Sequence, residues 1–171
     1  MKLYASLLLA IAACNGDGVV PSQQAKKAPT DLVQENRDAV KLEDRDIDLY
    51  AQRNALRLIK SGTGVRHQML RDVPGDSIRT EQWAKVNYRM ELLNGDTAYA
   101  TVKGEPESFL VGMDNVESGL HEAIQHLSPG DSAVIVIPSY RAHGLIGDQD
   151  KVPMRSSVVY RIGLVSVTPD E

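Results

Sequence analysis

One cysteine, one phenylalanine and one tryptophan stand in 171 residues, and aromatic side chains make up 5% of the chain. A single thiol, Cys14, cannot close a disulfide within the molecule. Basic residues gather nowhere. Nineteen Lys and Arg face 23 Asp and Glu, for a formal net charge of −4, so the clustered positive charge that grips a phosphate backbone is missing and nucleic acid is excluded as a partner. No apolar run is long enough to span a bilayer. There is no nucleophile elbow, phosphate loop or dinucleotide fingerprint. The segment "GDQDK", residues 147–151, has close carboxylates but no bidentate Glu at calcium-loop spacing, and reads as a polar turn. "HEAIQH", residues 121–126, sets its histidines five apart, which on a helix turns the rings about 140° from each other; zinc chemistry needs them four apart on one face. No metal is expected.

What is present begins with "MKLYASLLLAIAAC". Lys2 precedes a short apolar stretch, Leu7 to Ala13, and then Cys14. This order reads as an export signal over residues 1–13, and Ile11-Ala12-Ala13-Cys14 resembles a bacterial lipobox, whose cysteine is acylated; the alternative is an ordinary secretory signal cleaved nearby. Residues 14–36, rich in Gly, Pro, Gln, Lys and Asn, read as a flexible tether. The expected location is the bacterial cell envelope, on the periplasmic side or at the outer membrane, with the membrane reached through a lipid on Cys14.

Periodicity then sets the elements. A helix is expected from Leu42 to Ile59, within a segment 37–61, with Leu42, Leu49 and Leu56 on one face and Ile47, Tyr50, Ala51 and Leu58 widening the stripe. Glu43, Asp44 and Asp46 suit its start and Arg57 and Lys60 its end. Asp44 and Asp48 share a face and read as a solvated helix start. From residue 62 to 171 a second unit is expected. "VNYRMEL" alternates, Asn94-Gly95 signals a hairpin into "DTAYATV", and residues 109–112 form a further strand. Residues 115–127 form a short helix, and two strands, 132–137 and 157–167, close the chain. The sum is an α+β domain, a mainly antiparallel sheet with one short helix against it.

"GDSAVIVIPSYRAHG", residues 130–144, poses the functional question. A buried strand breaks into a turn carrying Tyr140, Arg141 and His143, which is either punctuation or the lip of a pocket. Tyr88 and Tyr160 both stand on apolar strand faces; they are either core tyrosines satisfied by the backbone or the lining of a cavity.

The order of these elements, from Gly64 to Val167, resembles the FKBP family of peptidyl-prolyl cis-trans isomerases. The resemblance is carried by "VNYRMELLNGDTAYAT", "FLVGMDNVESGLHEAIQHLSPGDSAVIVIPSYRAHG" and "VPMRSSVVYRIGLVSV". It implies an FKBP-like fold and a shallow apolar pocket that grips a proline ring of a client polypeptide, with no cofactor. The implied site is Tyr88, Val116, Glu117 (as amide donor), Leu120, Val152 and Tyr160, with Ala98, Tyr99, Phe109, Ile137 and His143 at the rim. Leu120 stands where the family has tryptophan, His143 where it has tyrosine, Ala98-Tyr99 where it has Phe-Asp, and Glu107 where it has phenylalanine. A helix and lipobox before the domain resemble the membrane-anchored members. A catalytically silent binding or chaperone module is the alternative, with residues 42–59 offering a surface for pairing two copies.

Overall fold

The computed structural model describes residues 29–169; the signal and Cys14 lie outside them. Helix α1 spans Pro29–Arg53. Strands follow at Ile59–Lys60 (β1), Arg66–Arg71 (β2), Gln82–Leu92 (β3), Thr97–Ala100 (β4) and Glu107–Leu110 (β5). Helix α2, Ser118–Ile124, precedes β6, Ser132–Ile137, and β7, Val158–Pro169. All pairings are antiparallel, in the order β1-β2-β6-β7-β3-β4, and β5 shares the outer edge of β3 with β4.

The five apolar residues of β6, Ala133 to Ile137, are continuous because that strand is covered on both sides. Ala133, Ile135 and Ile137 join Leu120, Ala123 and Ile124 of α2 in one core. Val134 and Val136, facing the other way, join Val159 of β7 and Ile47 and Tyr50 of α1 in a second. The sheet is thus the middle of three layers.

Helix α1 departs from expectation at both ends. It starts inside the segment read as tether, where Pro29 suits a first helical position and Asp31 sits in the first turn. It stops six residues early. Ala55 adopts φ 53° and Leu56 N–H donates to Ala51 O at 2.9 Å, a left-handed cap without glycine. The sheet consequently opens at Ile59, ahead of the expected boundary at 62. The apolar stripe is also rotated: Leu42 and Leu49 are 51% and 43% exposed, while Ile47 and Tyr50 are buried.

The reason lies in charge pairing. Arg66, on β2, is 3% exposed. Its Nη2 donates to Asp44 Oδ1 at 3.2 Å and Asp48 Oδ1 at 3.0 Å. The two aspartates do share a face, as expected, and that face holds a guanidinium as well as meeting solvent, the Asp48 side chain remaining 62% exposed. Beside them Glu43 accepts from Ser139 N–H at 2.6 Å, Ser139 Oγ at 3.0 Å and Ser157 Oγ at 2.5 Å. These polar ties turn one side of α1 inward and leave the leucines out.

Helix α2 is shorter than its apolar pattern. Residues 115–117 precede its first turn, with Glu117 in an extended conformation at φ −60°, ψ 135°, and the helix ends at a cap on Gln125. The two histidines of the HEAIQH segment then part company. His121 Nδ1 accepts from Gly112 N–H at 2.8 Å, and Nε2 lies 2.9 Å from Asp114 O, which makes it the donor. His126 instead stacks on His67 of β2, centroids 4.5 Å apart.

Burial, and then the neighbouring His126, push the His67 imidazole below its ordinary range. A histidine with a depressed folded value takes up its proton less readily in the native than in the unfolded chain. Its contribution to stability is whole above the unfolded value of about 6.5 and is lost as pH falls below it. Urea unfolding is therefore expected to show a larger loss of stability between about pH 7.5 and 5.5 for the wild type than for His67→Gln. Equal losses would remove the stacked pair as the cause.

Candidate active site

Strands β3 and β7 lie side by side with Met90 opposite Tyr160 and Tyr88 opposite Ile162. Tyr88 and Tyr160 stand on the face toward α2, where diagonal neighbours on paired strands can meet. Their ring centroids are 5.5 Å apart with planes inclined at 51°, so the rings form two walls and not a stack. Residues 115–117, extended because α2 has not yet begun, make a third wall. Ala142 and His143, just after the short 3-10 turn Ser139–Arg141, overhang the opening, and Tyr99 of β4 closes one end. The cleft between them measures about 360 Å³.

Of the residues implied from sequence, Tyr88, Tyr99, Val116, Glu117, His143 and Tyr160 line this cavity. The others do not. Leu120, at 4% exposure, lies in the core with Ile137, Phe109 and Ala98. Gly119 explains its placement: a Cβ there would overlap Ile137 Cγ2, so the first turn of α2 is seated hard on β6 and Leu120 packs behind the pocket. Phe109 meets His121 edge to face at 5.8 Å. Val152 is buried and shapes the lip through its N–H, which donates to Asp148 Oδ1 at 2.8 Å.

Met90, Asn115 and Ala142 also line the cavity and were not singled out. Met90 had a signal, since it follows Tyr88 by two on the same face. Asn115 and Ala142 had none beyond adjacency to Val116 and His143.

Each tyrosine hydroxyl donates to a carboxylate. Tyr88 reaches Glu107 Oε2 at 3.1 Å, Tyr160 reaches Glu117 Oε1 at 2.8 Å, and Tyr99 reaches Asp148 Oδ2 at 2.5 Å and Asp150 Oδ2 at 3.2 Å. Burial, followed by Glu107 and Glu117, pushes Tyr88 up to about 12. Burial and Glu117 push Tyr160 further in the same direction. The hydrogen bond to Asp148, ahead of burial, pushes Tyr99 up to about 12. Asp148 is held down to about 2: burial opposes its charge, but the Tyr99 hydroxyl and the amides of Asp150 and Val152 outweigh it. All three phenols are therefore neutral donors at neutral pH. His143 Nε2 lies 2.9 Å from Glu117 Oε1, off the line a hydrogen bond needs, so the contact is an electrostatic approach only.

The backbone supplies one further group. Glu117 N–H donates to no partner among the described residues, and it belongs to a residue that lines the cavity. Such a site can hold a small apolar ring between tyrosine faces and offer a donor to a neighbouring carbonyl.

The model of the FKBP-type peptidyl-prolyl cis-trans isomerase domain matches residues 75–165, over half of the chain. The chain belongs to this family. Over 84 residues it is 29% identical to FK506-binding protein 2 of Dictyostelium discoideum, covering 48% of this chain and 63% of that protein. Over 104 residues it is 30% identical to FK506-binding protein 1 of Kluyveromyces lactis, covering 58% and 91%. The crystal structure of FkpA from Escherichia coli superposes with a TM-score of 0.67 at 25% identity, covering 82% of this chain and 65% of FkpA. This chain thus spans less than two thirds of the Dictyostelium protein and of FkpA. The fold is the FKBP fold with a helix before it, as in that structural neighbour.

Proposed function

We propose that the protein is a peptidyl-prolyl cis-trans isomerase that acts on polypeptides outside the cytoplasm and is held at a bacterial membrane by a lipid on Cys14. The observation that carries the catalytic part is the cavity between Tyr88, Tyr160 and residues 115–117, open beneath Ala142 and His143. An X–Pro bond resists rotation because its C–N bond is partly double, with a barrier of ~18–20 kcal/mol. No nucleophile or proton transfer is needed to lower it. A twisted amide has lost resonance and is less polar than a planar one, so a water-poor pocket favours it over the ground state. Here the faces of Tyr88 and Tyr160, with Met90 and Val116, take the proline ring. The Glu117 amide holds the carbonyl that precedes it. This chain's residues require no metal or cofactor for such a step.

The test is turnover of a proline tetrapeptide by the full chain, with Tyr88→Ala as the comparison. Loss of one aromatic wall is expected to lower kcat/KM about tenfold, the worth of an aromatic contact, with the circular dichroism spectrum unchanged. No turnover by the wild type would leave the alternative reading, a silent binding module, for which the polar hydroxyl–carboxylate walls speak. Anchoring is tested separately. Radiolabelled palmitate is expected to enter the wild-type chain and not Cys14→Ser, and equal labelling would dismiss the lipid. The support for it is the sequence around Cys14; no helix among the described residues is long and apolar enough to cross a membrane.

A further inference from the structure

A carboxylate is an odd lining for a site that works by being apolar, and this cavity has one in its wall. The Glu117 side chain is 8% exposed and lines the wall that presents the free amide. Its Oε1 accepts from Tyr160 and lies near His143, whereas Oε2 accepts nothing from the described residues. That second oxygen reaches solvent at the cavity and is free to meet a ligand. Glu107 stands at the hydroxyl of Tyr88, and Asp148 and Asp150 at that of Tyr99. Against these four carboxylates the site sets one imidazole and one ammonium, Lys151 Nζ, 4.7 Å from the Tyr99 ring centre. Arg141 is turned away, its Nη2 bound to Glu122 at 3.0 Å. The surplus is negative, and three tyrosine faces surround it. Ring faces and carboxylates together attract a cation.

The geometry points to a substrate class: proline preceded by lysine or arginine. This inference rests on the proposed isomerase site. If the Glu117 amide holds the carbonyl before the proline, the residue that carries that carbonyl sits next to Glu117, and its side chain leaves toward Glu117 Oε2 or Glu107. A cationic side chain completes the pairing that the folded chain leaves open. An acidic one meets like charge.

The experiment compares three peptides, Ala-Lys-Pro-Phe, Ala-Leu-Pro-Phe and Ala-Glu-Pro-Phe, with the full chain. Direct binding is measured by calorimetry and turnover by exchange NMR. The lysine peptide is expected to bind about tenfold more tightly than the glutamate peptide at low salt, attraction and repulsion each giving about threefold. The leucine peptide falls between them. The ratio is expected to shrink in about 0.5 M salt and to approach one in Glu107→Gln/Glu117→Gln. Because the ratio is taken within one variant, any general loss of binding cancels. Glu107→Gln alone, at an exposed position, keeps the test open should the double variant not fold, and is expected to lower the ratio part of the way.

Equal or reversed binding of the lysine and glutamate peptides, or a preference that survives the substitutions, overturns the selectivity. A preference in binding without turnover of any peptide sinks the isomerase reading and leaves the cation preference standing; turnover without preference does the reverse. No binding by any peptide overturns both.

Discussion

Replacing Asp44 and Asp48 together by alanine is expected to lower the unfolding free energy by about 3–5 kcal/mol, whereas Arg66→Met is expected to be close to neutral. The asymmetry follows from burial. Arg66 is nearly inaccessible at 3%, while the side chains of Asp44 and Asp48 keep 30% and 62% of their exposure. Deleting the aspartates strands a guanidinium beneath α1, with Nη1 already lacking a hydrogen-bond partner. Deleting the arginine leaves two carboxylates that water can reach, and methionine of similar length fills the space. Urea denaturation of the two variants checks this. A larger loss in Arg66→Met than in the double aspartate variant would show that the pairing outweighs the cost of burying the guanidinium.

Glu43→Ala is expected to cost about 3 kcal/mol, because it removes three hydrogen bonds to one charged acceptor and leaves the donors of Ser139 and Ser157 behind in buried surroundings. The larger consequence is at the cavity. Ser139 begins the turn that carries Ala142 and His143 over the opening, so an unclamped turn lets the overhang move. Amide exchange at Ser139 is expected to accelerate in the variant, and KM for a proline peptide to rise. Unchanged exchange at Ser139 would mean that the lip is held by its own backbone bonds, such as Gly144 N–H to Ser139 O at 2.8 Å. Through this one carboxylate the N-terminal helix reaches the site without touching it.

Much of the architecture was legible because it is written in period. The alternation of Val86, Tyr88, Met90 and Leu92, the Asn94-Gly95 turn and the face shared by Val158, Tyr160, Ile162 and Leu164 each specify a local geometry that burial then selects. Strand β2 was not legible in this way. Its sequence, RHQMLR, has a buried arginine where alternation would seek an apolar residue, and its place is decided by Asp44 and Asp48, about 20 positions away in the chain. The helix stripe held in part: Ile47 and Tyr50 are buried against the sheet, while Leu42 and Leu49 fit the period but lie outside, because Asp44 has its partner on β2 and Glu43 has its partners at Ser139 and Ser157.

The pocket divides along the same line. Tyr88 and Tyr160 could be placed on a common face from the strands alone, and Glu117 and His143 from the resemblance. That Leu120 would pack behind the cavity and Met90 line it depends on how closely Gly119 lets α2 approach Ile137, a contact between residues 18 positions apart. By itself, then, the sequence determined which segments are strands and helices and which faces are greasy, since those follow from neighbours within a few residues. Tertiary structure decided which charges are buried, where α1 lies on the sheet and what lines the cavity. Those depend on pairings between distant residues, whose energies no local pattern records.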